Sequence, residues 1–184
     1  MPPLPLPLPD PELADDAIRL RPPSLADVAA ITAACQDPGI QRYTFVPVPY
    51  GEDDARAWIR DAERNRAAGV AMNLLAVDHH DDTDVLAAVG LLHPDWRARR
   101  IEVGYWGAPH ARGRGVVTRA VALLARWALA TFDVARVVAY IDAPNAASRA
   151  VVQRAGFTLE DGPPDPVDIK GRTWMLVCYS LSAR

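Results

Sequence analysis

The sequence predicts a single α/β domain built on a mixed, mostly antiparallel sheet with helices on both faces. Its 184 residues suffice for one domain with a substantial core, and 50% of them are hydrophobic. Short apolar runs typical of strands alternate with longer stretches of helical periodicity. Two of the strand-like runs are separated only by a polar turn, which indicates a hairpin. Alternating elements combined with such a meander predict a mixed sheet that is covered on both faces.

The elements are assigned in chain order from periodicity and from the residues that begin and end them. Strands are predicted over residues 18–21, 72–77, 85–92, 101–106, 136–141 and 173–181. Helices are predicted over residues 25–34, from 53 to about 68, 116–132 and 146–155, and Ser24 opens the first of them. Residues 37–50 and 160–170 contain prolines and are predicted as loops.

Residues 1–13 are predicted to form an N-terminal arm, and residues 14–184 to form the folded domain. Leucine and proline alternate near the start of the chain. This pattern favours extended polyproline geometry and cannot enter a helix or a central strand. A proline-motif ligand for another protein is the alternative interpretation of the same segment.

Composition argues against several functions and sites. The net charge of -3 disfavours a general affinity for nucleic acid. No apolar stretch approaches a membrane span and no secretory signal opens the chain, so the protein is expected to be cytoplasmic. Cys35 and Cys178 lack redox or zinc spacing. Residues 78–84 contain His and Asp, but we interpret them as a solvated hairpin turn and expect no metal site.

The most informative motif is a glycine turn between a predicted strand and a predicted helix, His-Ala-Arg-Gly-Arg-Gly-Val-Val at residues 110–117. Gly113 and Gly115 let the backbone turn sharply and leave its amides uncovered by side chains. The following helix directs unpaired N–H groups and its positive dipole end at this turn, where Arg112 and Arg114 add charge. The motif predicts a phosphate or pyrophosphate site made by the main chain. A tight strand–helix turn without a ligand is the alternative.

Two common phosphate-binding motifs do not fit this turn. A P-loop requires Gly-Lys-Ser/Thr, and the sole lysine of the chain is Lys170. A dinucleotide fingerprint requires a third glycine where Thr118 stands, and an acidic residue that ends the next strand. Asp133 has the right spacing but precedes that strand. Both alternatives therefore fail on local context.

A second motif follows the predicted strand 136–141 and reads Asp-Ala-Pro-Asn-Ala-Ala-Ser at residues 142–148. Asn145 is placed to cap the next helix at its N-terminus. Gly156 is placed as the left-handed residue after its C-terminus, and Phe157 would fold apolar surface back onto it. By itself this pattern predicts a well-capped helix.

The order of the two motifs resembles the GNAT N-acetyltransferase superfamily. In that family a glycine loop holds the pyrophosphate of acetyl-CoA, and a later Asn-x-x-Ser/Ala…Gly-Phe helix flanks the pantetheine arm and the sulfur. Residues 110–115 and 145–157 match these patterns. The run Ile-Glu-Val-Gly-Tyr-Trp at residues 101–106 is most similar to the RimJ/RimL-like branch. The resemblance covers nearly the whole chain after the first dozen or so residues.

This chain departs from the family pattern at two positions. His110 stands where the loop motif usually begins with Gln or Arg, which main-chain binding can tolerate. Val152 stands where many relatives carry a tyrosine that protonates the departing thiolate. A tyrosine at that position is therefore unavailable as the general acid.

The resemblance implies a sheet of about six to seven strands that splays at the cofactor site. It implies acetyl-CoA as the acyl donor and no metal. Similar enzymes stabilise the oxyanion with backbone N–H groups exposed where the fourth strand splays from the fifth, which maps to residues 105–107. The residues that the resemblance assigns to cofactor binding are Tyr105, Trp106, Gly107, Arg112, Gly113, Arg114, Gly115, Val116, Val117, Asn145 and Ser148.

Moving an acyl group from a thioester to an amine has three chemical requirements. The amine must lose a proton, the tetrahedral oxyanion needs a donor, and the thiolate needs a hydrogen bond or a proton. Glu102 is the candidate base, acting through water, with a structural carboxylate as the alternative. Ser148 is the candidate donor to the sulfur. Asn145 is expected to cap its helix, contact CoA, or do both.

We therefore expect an acetyl-CoA-dependent N-acetyltransferase that moves the acetyl group directly onto a primary amine in a ternary complex. The acceptor is a protein N-terminus or a small-molecule amine, and residues 37–50 and 160–170 are expected by family analogy to frame its site. Four acidic residues of the second loop would suit a cationic amine: Glu160, Asp161, Asp165 and Asp168. The alternative is a non-catalytic acyl-CoA-binding sensor on the same fold. Nucleic acid and membranes are not expected as partners, and a homodimer is left open.

Overall fold

The structure is a computed structural model that describes residues 5–183 of the chain. The strands are β1 (Ile18–Arg21), β2 (Ala71–Asp78), β3 (Val85–Asp95), β4 (Arg100–Gly107), β5 (Arg136–Asp142), β6 (Thr158–Leu159), β7 (Asp165–Ile169) and β8 (Arg172–Ser182). The α-helices are α1 (Val28–Ala34), α2 (Pro38–Tyr43), α3 (Glu52–Ala67), α4 (Val116–Thr131) and α5 (Ala146–Arg154). Short 3-10 turns lie at Leu25–Asp27 and Pro109–Ala111.

All eight strands belong to one sheet in the order β1-β2-β3-β4-β5-β8-β6, and β7 also pairs with β8. Every pairing is antiparallel except that of β4 with β5, which is parallel. A parallel pair needs a crossover connection, and α4 supplies it. The predicted mixed, mostly antiparallel sheet is confirmed, although it has more strands than the six to seven expected.

Helices cover the sheet on both faces over its first half. Residues 85–91 of β3 are buried without interruption, which requires cover on both sides of the strand. The buried stripe of α4 includes Ala120, Val121 and Leu124, and the helix packs against strands β1 to β5. Helix α3 packs against β2 and α1. One continuous apolar core therefore holds the helices and the sheet together.

The sheet divides where β4 leaves β5. The two strands pair only at Arg100–Arg136, Ile101–Val137 and Glu102–Val138. Beyond Glu102, β4 continues to Gly107 along β3 alone. The edge of β4 that faces β5 is therefore free of strand partners over residues 103–107. This is the splay that the family resemblance implies.

Two predicted loops contain regular structure and correct the sequence analysis. Residues 37–50 include α2, which begins with Pro38 after an N-cap at Asp37. Residues 160–170 include β7, which forms a hairpin with β8. Lys170 and Gly171 make its two-residue turn with φ of 52° and 69°, the left-handed conformation that such turns require. The sequence analysis missed α2 because a helix of six residues has little periodicity. It missed the hairpin because a Lys-Gly turn lacks the Asn or Asp of common hairpin signals.

The described part of the N-terminal arm is attached to the domain. The Leu6 side chain is fully buried in the core. Its backbone N–H donates to the carbonyl of Arg66 at 3.0 Å, and the Arg66 guanidinium donates to the Leu6 carbonyl at 2.8 Å. Leu6 thus joins the arm to α3, while the Leu13 carbonyl accepts from the Leu20 N–H of β1 and the Leu13 side chain packs against the core. The boundary at residue 13 stays a prediction.

Candidate active site

A cleft of about 1060 Å³ opens between the splayed end of β4, the N-terminus of α4 and the first turns of α5. Tyr43 of α2 lines it on another side. Every residue that the family resemblance assigned to cofactor binding lines this cleft: Tyr105, Trp106, Gly107, Arg112, Gly113, Arg114, Gly115, Val116, Val117, Asn145 and Ser148. The fold therefore brings together the glycine turn at residues 110–117 and the second motif at residues 142–148. Their roles in binding stay predictions.

The glycine turn leaves open space beside its backbone. Gly113 and Gly115 have φ of 76° and 75°, and a Cβ added at either would meet nothing within 4 Å. Gly115 is the N-cap of α4, no side chain caps that helix, and its first turn carries no acidic residue. The amides at the start of this 16-residue helix are therefore available to an anionic ligand. The residues present fit a pyrophosphate group.

The arginines of the turn are engaged with carboxylates of the surrounding elements. Arg112 forms a two-pronged contact with Asp37, with Nη1 at 3.1 Å from Oδ2. This hydrogen-bonded guanidinium lowers the pKa of the Asp37 carboxyl below its ordinary value. Asp37 also accepts the Ile40 N–H and so caps α2. Arg114 lies 3.6 Å from Asp78. Carboxylates thus use part of the donor capacity of each guanidinium, and the main-chain amides of the turn stay available.

The second motif forms the helix cap that the sequence indicates. Asn145 Oδ1 accepts the Ser148 N–H at 3.1 Å at the start of α5. Gly156 follows the helix with φ of 99°, and Phe157 is buried in the core. The capping interpretation of Asn145 is confirmed. Because its side-chain oxygen is used by the cap, Asn145 positions Ser148 on the wall of the cleft.

Tyr105 contacts Ser148 on the wall of the cleft, a contact that the sequence analysis did not foresee. The Tyr105 hydroxyl lies 2.7 Å from Ser148 Oγ and 3.2 Å from the Ser148 carbonyl oxygen. Burial raises the pKa of Tyr105 to about 12. The phenol therefore keeps its proton at neutral pH and can donate a hydrogen bond.

Glu102 lies at the last rung that joins β4 to β5 and does not line the cleft. Since side chains alternate along a strand, Glu102 and Tyr105 point to opposite faces of β4. Glu102 Oε2 lies 3.0 Å from Nδ1 of His93, and 23% of the Glu102 side chain is exposed. His93 adopts a φ of 45° where the β3–β4 register is irregular. Glu102 thus lies beside the splay, as predicted. Its hydrogen-bond partner, the His93 imidazole, was not predicted.

The two segments predicted to frame an acceptor contact each other on one side of the domain. The Lys170 ammonium donates to the carbonyls of Gln41 and Val46, and so ties the β7–β8 turn to α2 and to the segment after it. The Phe45 ring stacks on Trp174 of β8 with ring centroids 6.2 Å apart. A second cleft of about 480 Å³ lies between these segments.

An ion pair and an aromatic cluster support the wall of this second cleft. Arg172 lies over the rings of Tyr43 and Trp174 and contacts the buried carboxylate of Asp142 at 3.1 Å. Two of the acidic residues proposed to attract a cation are also engaged. Glu160 accepts from Arg136 at 2.9 Å, and Asp168 from Thr173 at 2.7 Å.

The cysteines are poor candidates for a covalent intermediate. Burial raises the pKa of both the Cys35 and the Cys178 thiol to about 11. Both are therefore thiols at neutral pH, whereas the nucleophilic form is the thiolate. Neither residue lines the two clefts described above.

Two structural features are absent from residues 5–183. No three His, Cys, Asp or Glu side chains in this range gather as a metal site would require. No helix in this range is long and apolar enough to cross a membrane.

Comparisons with known proteins extend the likeness from motifs to the fold. Residues 17–158 match the protein family described as "Acetyltransferase (GNAT) domain". The chain is 33% identical over 103 residues to the Bacillus subtilis protein "Putative ribosomal N-acetyltransferase YdaF". It spans about half of that relative, since the match covers 56% of each chain.

Two solved structures share the fold at low identity. Microcin C7 self-immunity acetyltransferase MccE, solved with acetyl-CoA and AMP, aligns with a TM-score of 0.81, 22% identity, and coverage of 92% of this chain and 94% of that chain. RimL, a ribosomal L7/L12 alpha-N-protein acetyltransferase solved with CoA, aligns with a TM-score of 0.79, 18% identity, and coverage of 93% and 97%. The two structures show that the fold is shared, and the family match over residues 17–158 identifies the chain as a member of the GNAT acetyltransferase family.

Proposed function

We propose that this protein is an acyltransferase, which moves the acetyl group of acetyl-CoA directly onto a primary amine in a ternary complex. The observation that carries the proposal is the cleft itself. One end of it has the open glycine turn and the N-terminus of α4, and the other has the splayed β4 strand and Ser148. An anionic group and a thioester can therefore be held at opposite ends of one cleft. Relatives of the same fold that were solved with acetyl-CoA or CoA support this choice of donor.

The main chain supplies most of the cofactor contacts in this proposal. The pyrophosphate rests on the amides of residues 113–117, where positive φ at both glycines turns the backbone toward the ligand. The pantetheine arm extends along the unpaired edge of β4 beside α5. Its amide groups there replace the hydrogen bonds that β5 no longer provides.

The reacting groups lie where the thioester would reach. The carbonyl oxygen accepts from the backbone N–H groups of residues 105–107, which stabilise the tetrahedral oxyanion. The acceptor nitrogen forms a bond to the carbonyl carbon, the carbon–sulfur bond breaks, and its electron pair passes to the sulfur. Ser148 donates a hydrogen bond to that sulfur. The proton lost by the amine passes through water to Glu102, which lies at the base of the splay.

The acceptor enters between α2 and the β7–β8 hairpin in this proposal. Contacts from Lys170 and Phe45 hold these segments together around the second cleft. The class of acceptor is a primary amine, either a protein N-terminus or a small molecule. The printed name of the B. subtilis relative, a ribosomal N-acetyltransferase, supports including peptide N-termini among the acceptors tested.

The proposal is tested in two steps on the full chain. Isothermal titration calorimetry first measures the affinity for acetyl-CoA and for CoA. A thiol-release assay then uses acetyl-CoA with a panel of short peptides with free N-termini, the same peptides with blocked N-termini, and small primary amines. We expect binding, and thiol release that depends on a free amine. Binding without thiol release for any amine would favour a non-catalytic acyl-CoA sensor, and absence of binding would overturn the proposal.

A further inference from the structure

Two hydroxyl groups from different elements meet on the wall of the cleft. Tyr105 lies on β4 and Ser148 lies in the first turn of α5, and their side-chain oxygens are 2.7 Å apart. Both residues line the cleft. Tyr105 can reach Ser148 because β4 and β5 part beyond Glu102 and leave room between β4 and α5. The pair is therefore a product of the splay.

The number of protons in this pair decides what it can offer to a ligand. Each hydroxyl has one proton and two lone pairs. If Ser148 donates to Tyr105, Ser148 has only lone pairs left for the cleft. If Tyr105 donates to Ser148 Oγ, the serine proton is free for another acceptor. The Tyr105 proton has two acceptors within reach on Ser148, and Oγ at 2.7 Å is nearer than the carbonyl oxygen at 3.2 Å, which favours the second arrangement.

We propose that Tyr105 is a positioning residue, which donates to Ser148 Oγ and thereby directs the serine proton at the sulfur of acetyl-CoA. The inference rests on the proposed function. As the carbon–sulfur bond breaks, its electron pair moves to the sulfur and the serine hydrogen bond strengthens. Neither hydroxyl loses its proton, and the proton of the amine leaves separately through water. Tyr105 acts through Ser148, so it needs no contact with the sulfur.

Val152, one turn after Ser148 on α5, leaves the sulfur without a donor from that position. Val152 is fully buried and apolar, so α5 offers no second donor at that position. Ser148 is held from both sides, because Asn145 accepts its N–H and Tyr105 contacts its hydroxyl. A serine whose backbone and hydroxyl are both held loses less conformational freedom when it meets the developing thiolate.

A double-mutant cycle tests the proposal by kinetics. Tyr105→Phe removes the phenol hydroxyl and keeps the ring, and we expect it to lower kcat about 10-fold with little change in the KM for acetyl-CoA. In a Ser148→Ala background the same change should lower kcat less than about 2-fold, because the group through which Tyr105 acts is gone. In a Ser148→Thr background, which keeps a hydroxyl, the effect of Tyr105→Phe should return. Effects that multiply in the Ser148→Ala background, or an unchanged kcat for Tyr105→Phe, would overturn the proposal.

A matched control removes a tyrosine hydroxyl from the neighbouring strand. The Tyr140 hydroxyl on β5 accepts from Arg100 at 3.2 Å and does not line the cleft. Tyr140→Phe should therefore show no coupling to Ser148→Ala. Thermal melting checks the fold of each variant, and Tyr105→Leu provides a second way to remove the Tyr105 hydroxyl.

A spectroscopic measurement separates this inference from the proposed function. The ultraviolet absorbance of the thiolate gives the pKa of the CoA thiol while CoA is bound. A donor directed at the sulfur lowers that pKa, so it should rise in Tyr105→Phe and in Ser148→Ala, and rise no further in the double variant. A wild-type protein that binds CoA but acetylates no amine would refute the proposed function, and this pattern would still decide the role of Tyr105. A thiol pKa that is the same in all four proteins, or absence of CoA binding, would overturn the inference.

Discussion

Valine at either glycine of the turn should abolish acetyl-CoA binding and leave the domain folded. Gly113 and Gly115 have φ of 76° and 75°, and an added Cβ has no neighbour within 4 Å. The cost to the apo protein is therefore the left-handed backbone conformation, about 1–2 kcal/mol. That is a fraction of the roughly 5–15 kcal/mol by which domains are stable. For a domain of this size it lowers the Tm by about 2–8 °C.

The effect on the ligand should be much larger than the effect on the fold. The new side chain occupies the space through which a pyrophosphate would approach the amides of the turn. A ligand at 100 times its Kd stabilises a protein by about 2.7 kcal/mol, which raises the Tm by about 5–11 °C. Thermal melts with and without acetyl-CoA should show this rise in the wild type and none in Gly113→Val or Gly115→Val. Calorimetry measures the same loss directly.

Gly171→Val is the matched control for backbone strain. Gly171 has φ of 69° and equally open surroundings, but lies in the β7–β8 turn. Its substitution should lower the Tm by a similar amount and preserve the rise with acetyl-CoA. If both glycine-turn variants kept an undiminished rise, the assignment of the turn to cofactor binding would be refuted.

Three further substitutions test other parts of the site. Ser148→Ala should lower kcat about 10-fold and change the Kd for acetyl-CoA by less than about 2-fold, because thiolate stabilisation develops only as the bond breaks; equal losses in both would make it a binding residue only. Glu102→Gln should lower kcat/KM by about 10²-fold near neutral pH, and less at high pH where the amine is already deprotonated. An unfolding defect without a pH-dependent rate defect would make Glu102 structural. Asp37→Asn keeps the cap of α2 but removes the charge that pairs with Arg112. That pairing lowers the pKa of Asp37 below 3.8, so its contribution to stability is complete above that pH and is lost as the pH falls through the lower, folded-state value. The Tm values of Asp37→Asn and wild type should therefore differ at pH 7 and converge in acid; a difference that persists there would show that the charge is not responsible.

Local patterns predicted the strands that have apolar alternation and the long helices. The strand 18–21 was placed at its observed bounds, and α4 was predicted over 116–132 and observed at Val116–Thr131. Helix α2 was missed because six residues make fewer than two helical turns, and β7 was missed because its sequence, Asp-Pro-Val-Asp-Ile, has a proline and two aspartates that are typical of loops. The motif residues could be gathered into one cleft only through the family resemblance, since spacing along a chain does not specify which elements meet.

The contacts that tune the site could not be predicted from the sequence. Tyr105 meets Ser148 across 43 positions, and Arg112 meets Asp37 across 75. His93 reaches Glu102 because a register irregularity places it at φ of 45° beside β4. Each contact depends on the relative position of two elements to within an ångström. Only the packing of the core determines that position.

The parting of β4 from β5 also bears on how the domain folds. Only three residue pairs join the half of the sheet formed by β1–β4 to the half formed by β5–β8. The strand pairing between the two halves is therefore short, and α4, which packs against β1 to β4 and also against β5, joins them a second time. Separation of the halves on unfolding requires that both the three strand pairs and the contacts of α4 with β5 break. Cooperativity of unfolding thus depends on the crossover helix as well as on the sheet.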